Sequence, residues 1–267
     1  VGSGTGFSFY LCTRLRARSV TGSDFAPFAI RALRERFSDA RFVELDITSA
    51  TLPAELEPFD VVSAFDILYH IVDDEKYRQA IANIRSLLRP GGLFLFSENF
   101  LARARETGLH QVSRTRDEIL SLLRENGFEV IRRAPVFFLM NRPLKSSSAI
   151  LGETWKGIRR ITSMTRRPYL GGWLGAALYP LELASLPFMT TGPSTEMMIC
   201  RVWPTSQPPG SRHARLSPGV RPLGRVKRRL CAVARALTVH PLCQLSHFHR
   251  FWRTSDDQET VEVARRD

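Results

Sequence analysis

Apolar and polar residues follow two different periods in residues 1–143. Short apolar runs predict buried strands at 19–23, 41–46, 59–65 and 93–97. Between Asp73 and Leu88 the apolar residues recur at the i, i+3, i+4, i+7 spacing of one helix face. Thr115 and Glu118 have the spacing of a capping box and predict another helix, which ends near Gly127. Strands that alternate with helices in this way indicate an α/β domain.

Residues 145–192 break this alternation and predict an insertion before the last strand, Thr195–Val202. A basic stretch there precedes an apolar run over Tyr169–Met189, which one glutamate and two prolines interrupt. We do not expect this run to cross a membrane, because crossing would separate the following strand from its sheet. A buried lid helix and an interfacial, membrane-contacting helix both remain open for the run.

The formal net charge of +12 is distributed unevenly. Residues 1–203 hold 26 basic and 21 acidic residues, whereas residues 204–267 hold 12 and 5. This imbalance weakens a nucleic-acid-binding interpretation of the whole chain. The composition predicts a domain over 1–203 and a basic, disordered tail over 204–267. The chain opens at Val1 in what looks like the middle of a domain, so we expect the domain's first strand to be missing.

The four cysteines are far apart and include no C-x-x-C pair. This spacing argues against a zinc site or a redox motif, and it favours a reducing, cytoplasmic location. The sequence also shows no metal-ligand cluster and no serine or cysteine triad at a supporting spacing.

A glycine-rich segment, Val1-Gly2-Ser3-Gly4-Thr5-Gly6, precedes a helix-compatible stretch over Phe7–Leu15. Glycines at a strand-to-helix turn let the backbone approach a ligand closely, and the helix N-terminus supplies unpaired N–H groups. A dinucleotide-binding turn would have its third glycine where Phe7 stands. Taken alone, the segment fits either a nucleotide-binding loop or an ordinary glycine turn.

Two acidic residues follow the next two predicted strands. Asp24 lies at the distance where nucleotide-binding α/β units place a carboxylate for the ribose hydroxyls. Asp46 ends the following strand, where its carboxylate could accept from an adenine amino group while Ile47 and Phe25 contact the rings. Each acid alone could be a helix cap, but the glycine segment and both acids occupy the carboxyl ends of successive strands, where open α/β sheets bind ligands.

The order and spacing of these motifs resemble those of class I S-adenosylmethionine-dependent methyltransferases of the small-molecule type. The matching segments are Val1-Gly2-Ser3-Gly4-Thr5-Gly6, Gly22-Ser23-Asp24-Phe25-Ala26-Pro27, Leu45-Asp46-Ile47, Phe59–Ile71 and Leu88-Arg89-Pro90-Gly91-Gly92. The resemblance covers residues 1–98 closely, is architectural over 99–203 and is absent beyond 204. It implies a Rossmann-like, doubly wound, mostly parallel sheet with helices on both faces and a helical insertion before the last strand.

The resemblance also implies S-adenosylmethionine as cofactor and a role for each motif. The glycine loop would hold the methionine portion, Asp24 the ribose and Asp46 the adenine. Phe65 and Asp66, at the end of the next strand, would line the open side of the cofactor. Family members that methylate DNA bases or protein glutamine carry an Asn- or Asp-Pro-Pro-aromatic sequence after that strand, whereas this chain has Phe65-Asp66-Ile67-Leu68. We therefore expect no nucleic-acid substrate.

Displacement at a sulfonium methyl mainly needs an acceptor held in line, so positioning supplies much of the acceleration. A hydroxyl acceptor would also benefit from a general base, and His70 is the best-placed candidate after the strand at 59–65. Tyr69 and His110 are weaker candidates, and the alternative role for His70 is to pack against or cap the next helix.

The sequence predicts a methyltransferase that acts on a small-molecule or lipid-linked acceptor, with O-methylation favoured and peripheral membrane contact open. The first alternative is a non-catalytic nucleotide-binding protein of the same fold. A nicotinamide-dependent oxidoreductase is disfavoured by Phe7 and by the second acid, Asp46.

Overall fold

The computed structural model describes residues 1–14, 17–102, 105–136, 149–164, 176–181, 184 and 195–203. The helices are α1 (Phe7–Arg14), α2 (Pro27–Arg36), α3 (Asp74–Ser86), α4 (Arg116–Glu125) and α5 (Ala149–Met164), with a 3-10 turn over Leu68–His70. The strands are β1 (Thr21–Asp24), β2 (Arg41–Glu44), β3 (Phe59–Ala64), β4 (Leu88–Glu98), β5 (Glu106–Thr107), β6 (Val112–Ser113), β7 (Phe128–Pro135) and β8 (Glu196–Val202). The predicted tail over 204–267 and most of the predicted apolar run over Tyr169–Met189 lie outside the described residues.

The strands form the α/β arrangement that the sequence predicts. β1 pairs in parallel with β2, and a second sheet has the order β3-β4-β8-β7. β3 and β4 are parallel, and β8 runs antiparallel to both β4 and β7, so β7 points the same way as β3 and β4. Within each of these two sheets the parallel strands therefore present their carboxyl ends at the same edge, and the predicted Rossmann-like fold is confirmed.

The start of the chain lies between the two sheets. The Val1 nitrogen donates to the Ser63 carbonyl of β3 at 2.7 Å, and the Ser3 amide donates to the Ser23 carbonyl of β1 at 2.8 Å. The glycine segment that follows is thereby held beside the carboxyl ends of β1 and β3.

Local sequence signals place the helix starts correctly. The Asp73 side chain accepts from the Lys76 amide at the N-terminus of α3, and Thr115 and Glu118 form the predicted capping box of α4. The predicted end of α3 at Leu88 is wrong, because the helix stops at Ser86. Leu88 instead pairs with Phe59 as the first residue of β4, which therefore begins earlier than the predicted strand at 93–97.

Two hydrophobic clusters hold the helices to the strands. The larger one joins α3 and α4 to one face of the four-stranded sheet, and its largest fully buried side chains include Tyr77, Phe94, Phe96 and Phe128. The smaller one packs Phe9 of α1 and Leu33 of α2 against Phe42 of β2. Leu93, Leu95 and Ile199 form a third cluster on the opposite face of the four-stranded sheet. This packing fixes the strand ends at which the predicted site residues lie.

The predicted insertion begins with a helix. Within 145–192 the structure describes α5 and helical residues at 176–181, and β8 follows close to the predicted strand Thr195–Val202. Within the described part of the chain, no helix is both long and apolar enough to span a membrane.

Candidate cofactor and acceptor site

The glycine segment forms a loop that only glycine adopts without strain. Gly2, Gly4 and Gly6 have φ angles of +65°, +47° and +84°. A Cβ on Gly2 would lie 1.5 Å from Cδ1 of Ile67, whereas a Cβ on Gly4 would meet no atom within 4 Å. The loop is thus packed against the segment after β3 at Gly2 and faces open space at Gly4. The Gly6 carbonyl accepts from the Tyr10 amide, so the loop leads directly into α1.

Asp24 fastens this loop to the end of β1. Its Oδ2 accepts from the Gly4 amide at 2.8 Å, and its Oδ1 accepts from the Ala26 amide at 3.1 Å. Ser3 supports the same junction, because its Oγ accepts from the Ser23 amide at 3.1 Å. Asp24 is 7% exposed. The first acid and the glycine loop therefore form one hydrogen-bonded unit.

Asp46 lies just beyond β2 and is exposed. Its Oδ1 accepts from the amide and the hydroxyl of Thr48, both at 2.8 Å, so the carboxylate organises the turn that follows. The Asn83 side-chain amide donates to the carbonyls of Ile47 and Ser49 and ties this turn to α3. Ile47 itself is buried in the main core at 6% exposure.

Three further predicted residues lie at the strand ends. Phe25 follows Asp24 and is 71% exposed, which leaves its ring available for contact. Phe65 follows β3 and packs against the Leu93, Leu95 and Ile199 cluster. Asp66 has a φ of +55°, an uncommon conformation for a residue with a side chain. Its amide donates to Ser97 Oγ at 2.7 Å, and that hydroxyl donates to Asp66 Oδ1 at 2.8 Å.

His70 ends the 3-10 turn that follows Asp66, and its side chain is exposed. Its Nδ1 lies 3.2 Å from the carbonyl oxygen of His110, in the loop between β5 and β6. A carbonyl oxygen can only accept, so this hydrogen bond requires a proton on Nδ1 and leaves Nε2 of the neutral ring with a free lone pair. The contact orients the ring as a general base requires.

Tyr69 is partly buried beside His70, with ring centroids 4.7 Å apart. Burial raises the pKa of the Tyr69 phenol, and the negative charges of Asp66 and Glu98 raise it further. The phenol consequently remains protonated at neutral pH and is suited to donate a hydrogen bond. Among these candidates, the structure favours His70 over Tyr69 as a base.

The structure also reveals polar residues that the sequence interpretation missed. Glu98 and Asn99 follow Ser97 at the carboxyl end of β4 and are buried. The Asn99 side chain donates to Ser113 Oγ at 2.7 Å and accepts from Thr195 Oγ1 at 3.0 Å. The run Ser-Glu-Asn at a strand end was a usable signal, because polar residues there mark ligand-binding edges of α/β sheets. In the described part of the chain, no group of three or more His, Cys, Asp or Glu side chains could hold a metal ion.

Comparison with known proteins identifies the domain that carries this loop. Residues 1–92 match the sequence profile of a family described as "Methyltransferase domain". Residues 1–92 therefore form a methyltransferase domain of the class I S-adenosylmethionine-dependent type. S-adenosylmethionine is the cofactor of this class of enzymes. The resemblance seen in the sequence is confirmed.

Individual relatives are distant. The chain is 26% identical over 113 residues to Nodulation protein S of Rhizobium fredii, a match covering 42% of this chain and 63% of that one. A solved O-methyltransferase from a trans-AT PKS multienzyme of Brevibacillus brevis, in complex with S-adenosyl-L-homocysteine, is 14% identical with a TM-score of 0.50, covering 76% and 65%. The N-methyltransferase NodS of Bradyrhizobium japonicum is 15% identical with a TM-score of 0.43, covering 75% and 74%. The chain thus spans about three fifths of this curated relative, and the O-methyltransferase likeness shows the shared fold.

The residues present in this methyltransferase fit its cofactor. The open space at Gly4 gives a ligand access to the backbone of the loop. Each carboxylate oxygen of Asp24 accepts one hydrogen bond from a backbone amide. Each oxygen has a second lone pair, which can accept from a ribose hydroxyl. The exposed Asp46 and Phe25 stand at the adjoining strand ends. Gly2–Gly6, Asp24 and Asp46 thus lie at adjoining strand ends, and we propose that they hold the cofactor.

Proposed function

We propose that this chain transfers a methyl group from S-adenosylmethionine to a small-molecule or lipid-linked acceptor, with a hydroxyl as the acceptor group. The observation that carries the proposal is the hydrogen bond between Asp24 and the Gly4 amide, at a loop within the matched methyltransferase domain. It supports a preformed site for a nucleoside with a free ribose. The competing proposal, a non-catalytic nucleotide-binding protein, shares the cofactor loop but needs no base.

The cofactor supplies an electrophilic methyl on a sulfonium centre, so the protein's own task is to hold and deprotonate the acceptor. The turn that carries Tyr69 and His70 follows β3, while Asp66 and Ser97 fix the neighbouring strand ends. An acceptor hydroxyl would donate to His70 Nε2, and the Tyr69 phenol would donate to an acceptor oxygen. The hydrogen bond from Nδ1 to the His110 carbonyl then stabilises the imidazolium that forms.

We predict that His70→Asn lowers the rate of O-methyl transfer by about 100-fold or more, because general-base catalysis contributes about 10² to 10⁴. The rate of S-adenosylhomocysteine formation with a panel of hydroxyl and amine acceptors measures this effect. His110→Asn is the matched control, since it keeps the backbone carbonyl that orients His70. Full activity of a folded His70→Asn variant would exclude His70 as the base, and methylation of amines alone would replace the hydroxyl proposal.

A lipid-linked acceptor is supported by α5, at the start of the insertion. Ile150 is 79% exposed, and Trp155 is half-buried. Lys156 and Arg160 are exposed one helical turn apart. Exposed apolar and basic side chains on one helix favour the surface of an anionic membrane, where each basic residue adds about 1 kcal/mol. We therefore include peripheral membrane contact in the proposal.

Co-sedimentation with liposomes tests this contact. Wild-type protein is expected to bind phosphatidylglycerol-containing liposomes and to dissociate from them as the salt concentration rises. It is not expected to bind liposomes of pure phosphatidylcholine. Lys156→Glu/Arg160→Glu should weaken liposome binding at least threefold. The control Arg18→Glu/Arg31→Glu reverses two exposed charges elsewhere in the domain and should weaken binding less. Equal loss in both double variants would indicate net charge alone, and no loss in either would remove α5 from the contact.

The domain organisation and location are proposed on sequence grounds. We propose that 1–203 form the methyltransferase domain and that 204–267 add a tail that is dispensable for folding, since the tail lacks apolar periodicity. A cytoplasmic location is supported by Cys12 and Cys200, neither of which forms a disulfide within the part of the chain that the structure describes.

A further inference from the structure

A buried arginine lies behind the turn that carries His70. Arg114 follows β6, and its side chain is 4% exposed. Its Nε and Nη2 both donate to Asp74 Oδ1, at 3.1 and 2.8 Å, and Nη2 also donates to the Ile71 carbonyl at 2.9 Å. Ile71 is the residue directly after the turn, and Asp74 is the first residue of α3. One guanidinium thus connects the turn, the helix and the segment after β6.

Tyr77 and Glu98 lie beneath this guanidinium. The Arg114 Cζ is 3.8 Å from the Tyr77 ring centroid, and the Tyr77 hydroxyl donates to Glu98 Oε1 at 3.4 Å. Glu98 is fully buried and also accepts from the Asn99 amide at 3.2 Å. Glu98 adjoins Ser97, which bonds to Asp66. The contacts of Arg114 therefore extend through Tyr77 to the carboxyl end of β4, where Ser97 bonds to Asp66 just before the turn that carries Tyr69 and His70.

Stability alone is a poor explanation for this burial. Arg114 Nη1 is buried without a hydrogen-bond partner in the described part of the chain, and an unsatisfied buried donor opposes folding. Asp74 already has a second, more exposed cation in Arg105, whose Nη1 lies 2.6 Å from Asp74 Oδ2. Arg105 duplicates neither the hydrogen bond to the Ile71 carbonyl nor the contact with the Tyr77 ring, and only the first of these reaches the turn.

We propose that Arg114 is a positioning residue that, through Ile71, fixes the Leu68–His70 turn, and with it Tyr69 and His70, against the cofactor edge. The proposal rests on the proposed function in so far as the turn bears the acceptor-side groups. The backbone of the turn has few restraints of its own. The His70 amide donates to the Ile67 carbonyl and the Ile71 amide donates to the Leu68 carbonyl, each at 3.0 Å. Without the guanidinium the turn would open while the glycine loop stays in place.

Hydrogen exchange measured by mass spectrometry tests this without an acceptor. In Arg114→Gln, amide exchange over 67–73 is expected to rise at least tenfold, while exchange over 21–24 and 41–44 stays within twofold of wild type. The matched control is Arg116→Gln. Arg116 is two positions from Arg114 in the sequence, and it pairs with Asp117 on the surface. Arg114→Lys keeps the charge but not the fork of donors, so an intermediate acceleration is expected even if the glutamine variant fails to fold.

Two results would overturn the proposal. Unchanged exchange over 67–73 in folded Arg114→Lys would show that the turn stays ordered without the guanidinium. A uniform rise in exchange across the domain would show that Arg114 has only a general structural role. Affinity for S-adenosylhomocysteine should stay within threefold of wild type, while kcat for methyl transfer falls at least tenfold. If no acceptor is methylated but exchange rises as expected, the proposed function fails and the positioning role stands.

Discussion

Replacing Asp24 by alanine is expected to weaken binding of S-adenosylhomocysteine at least tenfold. In the proposed site the change removes the acceptor for the ribose hydroxyls, and charge-assisted hydrogen bonds are worth about 1.5–3 kcal/mol each, where 1.4 kcal/mol is tenfold. It also releases the Gly4 amide, which Asp24 Oδ2 holds at 2.8 Å. Loop order and ligand contact are therefore lost together.

Isothermal titration calorimetry on folded variants measures this loss. Asp39→Ala is the control, since Asp39 is an exposed carboxylate in the turn before β2. Asp24→Asn separates the two effects, because an amide oxygen can still accept from Gly4 but carries no charge. Undiminished affinity in Asp24→Ala would remove Asp24 from the cofactor site.

The free energy of unfolding should fall between pH 5 and 8 because of Glu98. Burial raises the pKa of Glu98 from 4.5 to about 7, against the opposing influence of the Asn99 amide, Arg114 and Tyr77, with Asp66 raising it further. Since the folded pKa lies above the unfolded one, this stabilising contribution is complete below pH 4.5 and is lost as pH rises through 7. The shift corresponds to an upper limit of about 3–4 kcal/mol, at roughly 1.4 kcal/mol per pH unit.

Urea unfolding of wild type and Glu98→Gln at several pH values isolates this contribution. The glutamine variant cannot ionise, so its free energy of unfolding should decline less than that of wild type over the same range. Glu57→Gln, at an exposed position, should follow wild type. Parallel curves for wild type and Glu98→Gln would show that Glu98 does not titrate in this range.

The sequence predicts where the proposed cofactor residues lie in the fold, because its signals are local. The glycine loop, Asp24 and Asp46 each belong to a short segment at the end of one strand, and strand ends meet at one edge of the sheet. The helix starts at Asp73 and Thr115 were predictable for the same reason, since capping depends on residues three positions apart. The end of α3 was not, because Leu88 is recruited into β4 by pairing with Phe59.

The acceptor side depends on contacts between distant parts of the sequence. Arg114 reads as an ordinary basic residue, and only its bonds to Ile71 and Asp74, about 40 positions earlier, reveal its burial. Asn99 meets Thr195 across 96 positions and an intervening insertion. Neither pairing leaves a periodic or spacing signal in the sequence, so tertiary structure was needed to find them.

Calorimetric titration of the wild-type chain with S-adenosylhomocysteine tests the central claim most directly. The account predicts binding with one site per chain, competition by S-adenosylmethionine and no detectable heat with NAD, because Phe7 replaces the glycine of a dinucleotide turn and Asp46 follows the second strand. Saturable binding of NAD with no response to S-adenosylhomocysteine would contradict it.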